Sequence, residues 1–183
     1  MKRIVFLICL FSVVFASSQN QKNVNLSDKI FYGGGLGLSF GNITNIEISP
    51  LIGYRITDDF HTGLQFRYQY IDADYFYYGY HYDFRTSIYG IAPFLRYFIM
   101  EEYFLISEFE FLSLETKHFD VLGLYDNFDN RERFIYHSFL VGAGYAQNLG
   151  GSSIMYFSLL YNLNDSSNSP YSSPWVVRVG VNF

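Results

Sequence analysis

A chain of 183 residues, 50% hydrophobic and 21% aromatic with a formal net charge of −5, is long enough for one domain with a filled core or barrel and too apolar to be disordered. The acidic balance and the lack of a basic patch speak against a nucleic-acid partner. Charged residues make up 16%, against about 25% in a typical soluble domain, and low charge with excess aromatics suits a surface facing lipid and its interface.

The chain opens on Met1-Lys2-Arg3, runs through apolar residues from Ile4 to Phe15 and leaves on Ala16-Ser17-Ser18. A basic start, a short apolar run and a small-residue exit predict a secretory signal peptide over 1–18, cleaved near Ser18. The rival, a membrane anchor, needs about 20 apolar residues. Cys9 lies inside the run, too early and too bulky in its neighbours for a lipoprotein signal. The mature chain is therefore expected to have no disulfide or thiol chemistry. Loss of Lys2 and Arg3 takes the formal charge from −5 to −7. Residues 19–29 read as a polar N-terminal periplasmic linker.

From residue 30 to residue 183, eight segments alternate in polarity, near 30–40, 46–57, 60–71, 85–99, 103–114, 135–147, 153–163 and 174–183. The first sets Gly33, Gly35, Gly37 and Ser39 on one face against Tyr32, Leu36, Leu38 and Phe40 on the other. An internal repeat follows: Ile48-Ser-Pro-Leu-Ile-Gly-Tyr54 through Phe60 aligns without a gap with Ile91-Ala-Pro-Phe-Leu-Arg-Tyr97 through Tyr103, an offset of 43 residues. A weaker third copy carries Gly144-Tyr145. Each copy is strand, acidic turn, strand, and stacked hairpins close most simply as an up-and-down barrel. Pro50 and Pro93, matched by the repeat, each remove a ladder donor and predict a bulge or a locally open pair.

The repeat also sorts the faces. Ile48, Ile52, Tyr54, Phe66, Tyr68 and their counterparts Ile91, Leu95, Tyr97, Phe109, Phe111 share one side. Glu47, Arg55, His61, Arg67, Arg96, Glu108 and Glu110 share the other, joined by Arg178 from the last segment. A soluble lipocalin-like barrel would turn the apolar face inward. The aromatic face is too bulky for the interior of eight strands, and the opposite face is rich in glycine and carries charges of both signs. The expectation is a lumen network of Glu47, Arg55, His61, Arg67, Arg96, Glu108, Glu110 and Arg178, with Glu110–Arg67 and Glu108–Arg96 as pairs. Short turns at Asp58-Asp59 and Glu101-Glu102, against long connections near 72–84, 115–134 and 164–173, predict short periplasmic turns and longer extracellular loops. The fold expected is an all-β, eight-stranded antiparallel up-and-down transmembrane barrel.

The motifs Tyr32-Gly-Gly-Gly-Leu-Gly-Leu38, Ile48 to Tyr54, Ile91 to Phe98 and the terminal Val179-Gly-Val-Asn-Phe183 give residues 30–183 a look similar to small OmpA/OmpX-type outer-membrane barrels. More closely the chain resembles the outer-membrane β-barrel domain proteins of Bacteroidota. The resemblance implies a place in the outer membrane of a Gram-negative bacterium, among lipid and lipopolysaccharide. It also implies insertion by the barrel-assembly machinery, with Trp175, Val177, Val179, Val181 and Phe183 as the insertion signal.

Sites for chemistry are few. His137-Ser138 is similar to the catalytic pair of lipid A deacylases, but adjacent residues point to opposite faces of a strand. Glu108 and Glu110 suit acid–base work by spacing, yet facing arginines make them better ion-pair partners. His61 has no second ligand at metal spacing, so no metal or other cofactor is expected. Tyr75, Tyr77, Tyr78, Tyr80, Tyr82 and Tyr125 suit surface recognition. Their plainer reading is strands extended past the membrane with an upper aromatic girdle. The expectation is a monomeric, non-enzymatic barrel serving envelope integrity or surface recognition. A narrow pore, a lipid-modifying enzyme and a secreted ligand-binding barrel remain the alternatives.

Overall fold

The computed structural model describes residues 29–39, 43–77, 80–116, 132–171 and 173–183. Within these, eight strands follow one another: β1 (Ile30–Ser39), β2 (Ile43–Arg55), β3 (Phe60–Tyr77), β4 (Tyr80–Phe98), β5 (Tyr103–Glu115), β6 (Arg133–Gly150), β7 (Ser153–Asn162) and β8 (Trp175–Asn182). Each pairs antiparallel with its neighbour in chain order, and β8 returns to β1. The chain is all-β and forms a closed eight-stranded barrel. Both ends of the barrel sequence lie at one rim, called here the terminal end; the other rim is the far end.

Two hairpins repeat each other in atomic detail. Ile56 N donates to Phe60 O at 2.9 Å, and Ile99 N donates to Tyr103 O at 2.9 Å, again 43 residues apart. Thr57 Oγ1 also accepts from Phe60 N at 3.0 Å. The turns are wider than the acidic pairs alone, since β2 stops at Arg55 and β4 at Phe98. The β6–β7 turn uses Gly151 at φ 63°, a left-handed conformation that a side chain would strain.

The prolines leave the ladder open and insert nothing. β2 and β3 pair at Ile48↔Tyr68 and next at Leu51↔Gln65, with the register unchanged across the gap at Pro50. β4 and β5 do the same around Pro93, between Ile91↔Phe111 and Phe94↔Glu108. The missing N–H therefore interrupts the pairing without shifting a single side chain.

The strands run longer at the far end than their polarity indicates. The segment 72–84, read from the sequence both as a connection and, more plainly, as extended strands, is mostly a hairpin, paired from Asp72↔Arg85 to Tyr77↔Tyr80. Its acidic residues look like loop, yet Tyr75, Tyr77, Tyr80 and Tyr82 favour a pleated strand and no glycine or proline interrupts before Gly79. β6 likewise begins at Arg133, not near 135. The signal segment, residues 19–28 of the linker, Tyr78 and Tyr125 lie outside the described residues.

Closure is thin. β1 and β8 pair only at Gly33↔Asn182 and Gly34↔Val181, supported by Phe183 N donating to Tyr32 O at 2.7 Å. Every other neighbouring pair of strands has a ladder of at least eight residue pairs.

Candidate functional site

Alternation along each strand sends Ile48, Ile52, Phe66, Tyr68, Ile91, Leu95, Tyr97, Leu105, Phe109, Phe139, Phe157 and Leu159 to the outer surface, where all are exposed. Trp175, Val177, Val179 and Phe183 join them on β8 and at its end, with Val181 half-buried on the same side. His137 lies outside among Phe109 and Phe111, while Ser138 is buried inside, so the two share no site.

Inside, the lumen is filled in three tiers. The tier toward the terminal end is aromatic. Phe31, His61, Phe98 and Phe104 form a chain of ring contacts at 5.6, 5.0 and 5.4 Å. His61 Nε2 lies 3.1 Å from Asp58 O, and Arg55 covers the Phe31 ring at 5.6 Å. The far tier is apolar, built from Ile88, Leu112, Leu114, Phe134 and Tyr136. On the outer face at the same level, Arg133 ties three strands together. It reaches Glu115 at 3.2 Å, Ser113 Oγ at 3.0 Å and the Ser87 carbonyl, and lies 4.4 Å over the Tyr89 ring.

The middle tier is ionic. Glu110, fully buried, accepts from Arg67 Nη1 at 2.7 Å and from Arg178 Nη2 at 2.7 Å. Arg178 Nε also meets Glu108 at 2.9 Å. Arg67 Nε lies 3.4 Å from Glu47, close enough for attraction though angled away from a hydrogen bond. At the centre stands a phenol that sequence reasoning missed. Tyr171, from the β7–β8 connection, donates to both Glu110 oxygens at 2.9 and 2.8 Å. It accepts from Arg67, and from Arg178 at 3.3 Å.

The connection carrying Tyr171 is anchored so that it dips inward. Asn164 extends the β6 edge past the end of β7, its Nδ2 donating to His137 O at 2.7 Å and its Oδ1 accepting from Phe139 N at 2.6 Å. Asn168 is buried beyond it. No periodic pattern marks such a segment, and its serines, prolines and asparagines read as an ordinary loop.

The expected network is thus distributed over two tiers. Glu47, Arg67, Glu108, Glu110 and Arg178 come together, while Arg55 and His61 sit at the terminal end. Arg96 does not pair with Glu108. Its guanidinium lies against Phe104 at 4.7 Å, Tyr156 at 4.5 Å and Phe94 at 5.5 Å. Arg178 reaches Glu108 from across the barrel and takes the acceptor Arg96 was expected to hold.

The lumen also holds large rings that the face assignment did not foresee. They fit because each lies directly across the ladder from a glycine. Phe31 faces Gly53, Phe94 faces Gly63, Phe104 faces Gly144 and Tyr156 faces Gly180. A Cβ at Gly53 would stand 2.0 Å from the Phe31 ring, and one at Gly144 would stand 2.2 Å from Phe104. Glycine here is space for a neighbour's ring.

Among the described residues no cluster of three His, Cys, Asp or Glu side chains is arranged to hold a metal ion. Tyr75, Tyr77, Tyr80 and Tyr82 sit at the tip of the β3–β4 hairpin by backbone register. No family model and no curated protein matches the chain.

Proposed function

We propose that the chain is a non-enzymatic outer-membrane barrel of a Gram-negative bacterium, of the small OmpA/OmpX type and near the Bacteroidota barrel-domain proteins. It is exported by a cleaved signal peptide and inserted by the barrel-assembly machinery. Its role is envelope integrity or surface recognition through the far end. One observation carries this reading: the exposed face of the closed barrel is an apolar band bounded by tyrosines and tryptophan. Tyr32, Tyr97, Tyr103 and Phe183 lie outside at the terminal end, and Tyr68, Tyr89, Tyr161 and Trp175 toward the far end. Isoleucine, leucine, valine and phenylalanine fill the space between. From Tyr97 to Tyr89 the strand rises roughly 26 Å, or about 20 Å of height at a tilt near 40°. A lipid-facing band is about 25 Å tall with aromatic girdles at both edges. A water-facing surface of this composition would expose far more apolar area than a soluble monomer tolerates.

A lumen filled by three tiers of side chains supports a structural or recognition role over a general solute channel. Migration of the purified protein on SDS gels tests the membrane reading. The native barrel is expected to run at a different apparent mass from the boiled chain, and to require detergent or lipid to stay monodisperse. A protein that is monodisperse in plain buffer would overturn it.

A further inference from the structure

The thin closure between β1 and β8 opens onto a lumen cavity. Past Gly34↔Val181 the two strands form no ladder, although β1 continues to Ser39 and β8 starts at Trp175. A cavity of about 90 Å³ lies behind this stretch. Its walls include Leu36, Val177 and Val179, which belong to the outer face, and Glu47, Gln65, Arg96 and Glu108, which belong to the lumen. The strands still meet at Gly35, where a Cβ would stand 2.7 Å from Val179 O, but a Cβ at Gly37 would meet nothing of β8 within 4 Å, so the seam is unfilled on the cavity's side beyond that point. Leu36 and Val177, at 74% and 70% exposed, form its apolar mouth.

Arg96 points to what enters. It is 3% exposed, yet its Nε has no hydrogen-bond partner. Of the six charged groups in the middle of the lumen, Glu47, Glu108 and Glu110 are each held by Arg67 or Arg178. Arg96 is left, among the described residues, without an ion pair. Three aromatic rings surround it, and of these only the Tyr156 hydroxyl, a neutral acceptor, takes a hydrogen bond from the guanidinium, leaving Nε unused. A buried guanidinium in that state gains from an anionic acceptor.

We infer that the β1–β8 seam binds a long-chain carboxylate, with the carboxylate in the cavity at Arg96 and the hydrocarbon left outside against Leu36, Val177 and Val179. The size fits. A cavity of about 90 Å³ has room for a carboxylate. The two glutamates on the cavity wall do not repel it outright, because Arg178 and Arg67 hold them. This inference rests on the membrane reading, since the tail lies in the bilayer.

Trp175, the single tryptophan, stands on β8 beside the seam and reports on it. Protein purified from membranes and reconstituted in phosphatidylcholine vesicles is titrated with dibromostearate, whose bromines quench nearby tryptophan. Saturable quenching is expected, at lower concentration than for the matching dibrominated alcohol. Arg96→Gln should weaken the apparent affinity about tenfold, as loss of a charged hydrogen bond does, while Arg96→Lys retains most of it. Leu36→Cys with Val179→Cys, in a mature chain that carries no other cysteine, places cysteines opposite each other by extension of the Gly34↔Val181 register. Oxidation should abolish saturable quenching and reduction restore it. Quenching that is unsaturable, equal to that by brominated phosphatidylcholine at matched bromine density, or unchanged in Arg96→Gln would overturn the inference. A failed membrane reading shows itself separately, as a protein without heat-modifiable migration that does not enter vesicles at all.

Discussion

Glu110 accepts from two guanidinium groups and one phenol, and each of those donors depends on the other two. Burying three charges costs more than any single contact returns, so the tier holds only when every acceptor is used. Tyr171 supplies the neutral hydrogen bond that completes the set. Tyr171→Phe keeps the ring and its packing and removes only the hydroxyl. It is expected to destabilise the barrel by about 1.5–3 kcal/mol, the range for a hydrogen bond to a charged group. Tyr161→Phe, on the outer face, should stay within about 0.5 kcal/mol. Urea unfolding of the vesicle-reconstituted barrel separates the two, and equal midpoints would remove Tyr171 from the network. The shared face of Arg67 and Glu110 was legible because they occupy equivalent positions in the 43-residue repeat. Tyr171 was not, since a loop has no period and only tertiary anchoring through Asn164 aims it inward.

Between neighbouring strands the recurring unit is a glycine paired with a ring. The glycine content of the lumen face was legible as a sign of a narrow interior. The partner rings were not, because only register shows that Phe31 lies across from Gly53 and Phe104 from Gly144. Alternation assigns a face, but it does not say which residue on the next strand shares the space. The same limit explains Arg96, whose facing was legible and whose partner was not. Gly53→Ala places a methyl where the Phe31 ring already stands, so the ring or the strand must move. Overpacking of this kind costs about 1–3 kcal/mol. If the ring is the cause, Phe31→Leu in the same chain should relieve it. The double variant should then be more stable than the summed losses by about 0.5–3 kcal/mol. A double-mutant cycle in urea measures this, and strict additivity would mean that backbone strain, not the ring, sets the cost.

At the scale of the whole molecule the question is which solvent the outer face meets. Closure, strand number and the outward apolar face were legible from period and repeat, because each is a property of alternation summed over many residues. Strand length at the far end was legible only in part: acidic residues between tyrosines look like a loop, while the tyrosines themselves pointed to extended strands, and the backbone does keep pairing there. The solvent itself is tested by depth. Ile91 stands exposed inside the apolar band, two residues in from Tyr89 at its far edge, and Tyr97 stands exposed at its terminal edge. In a bilayer, Ile91→Arg places a charge inside the hydrocarbon, short of the midplane, and should cost about 1–3 kcal/mol, whereas Tyr97→Arg at the interface should cost about 0–1 kcal/mol. In water both positions are surface sites, and both substitutions should fall within about 0.5 kcal/mol of the parent. The difference between the two variants is therefore the informative quantity, since any general effect of arginine on the strand cancels. It is read from unfolding midpoints in vesicles of phosphatidylcholine. A further comparison in lipids of shorter chain sharpens the reading: a thinner bilayer narrows the band and should reduce the Ile91→Arg penalty while leaving Tyr97→Arg nearly unchanged. Equal penalties at the two depths would mean that the apolar face is covered by something other than lipid.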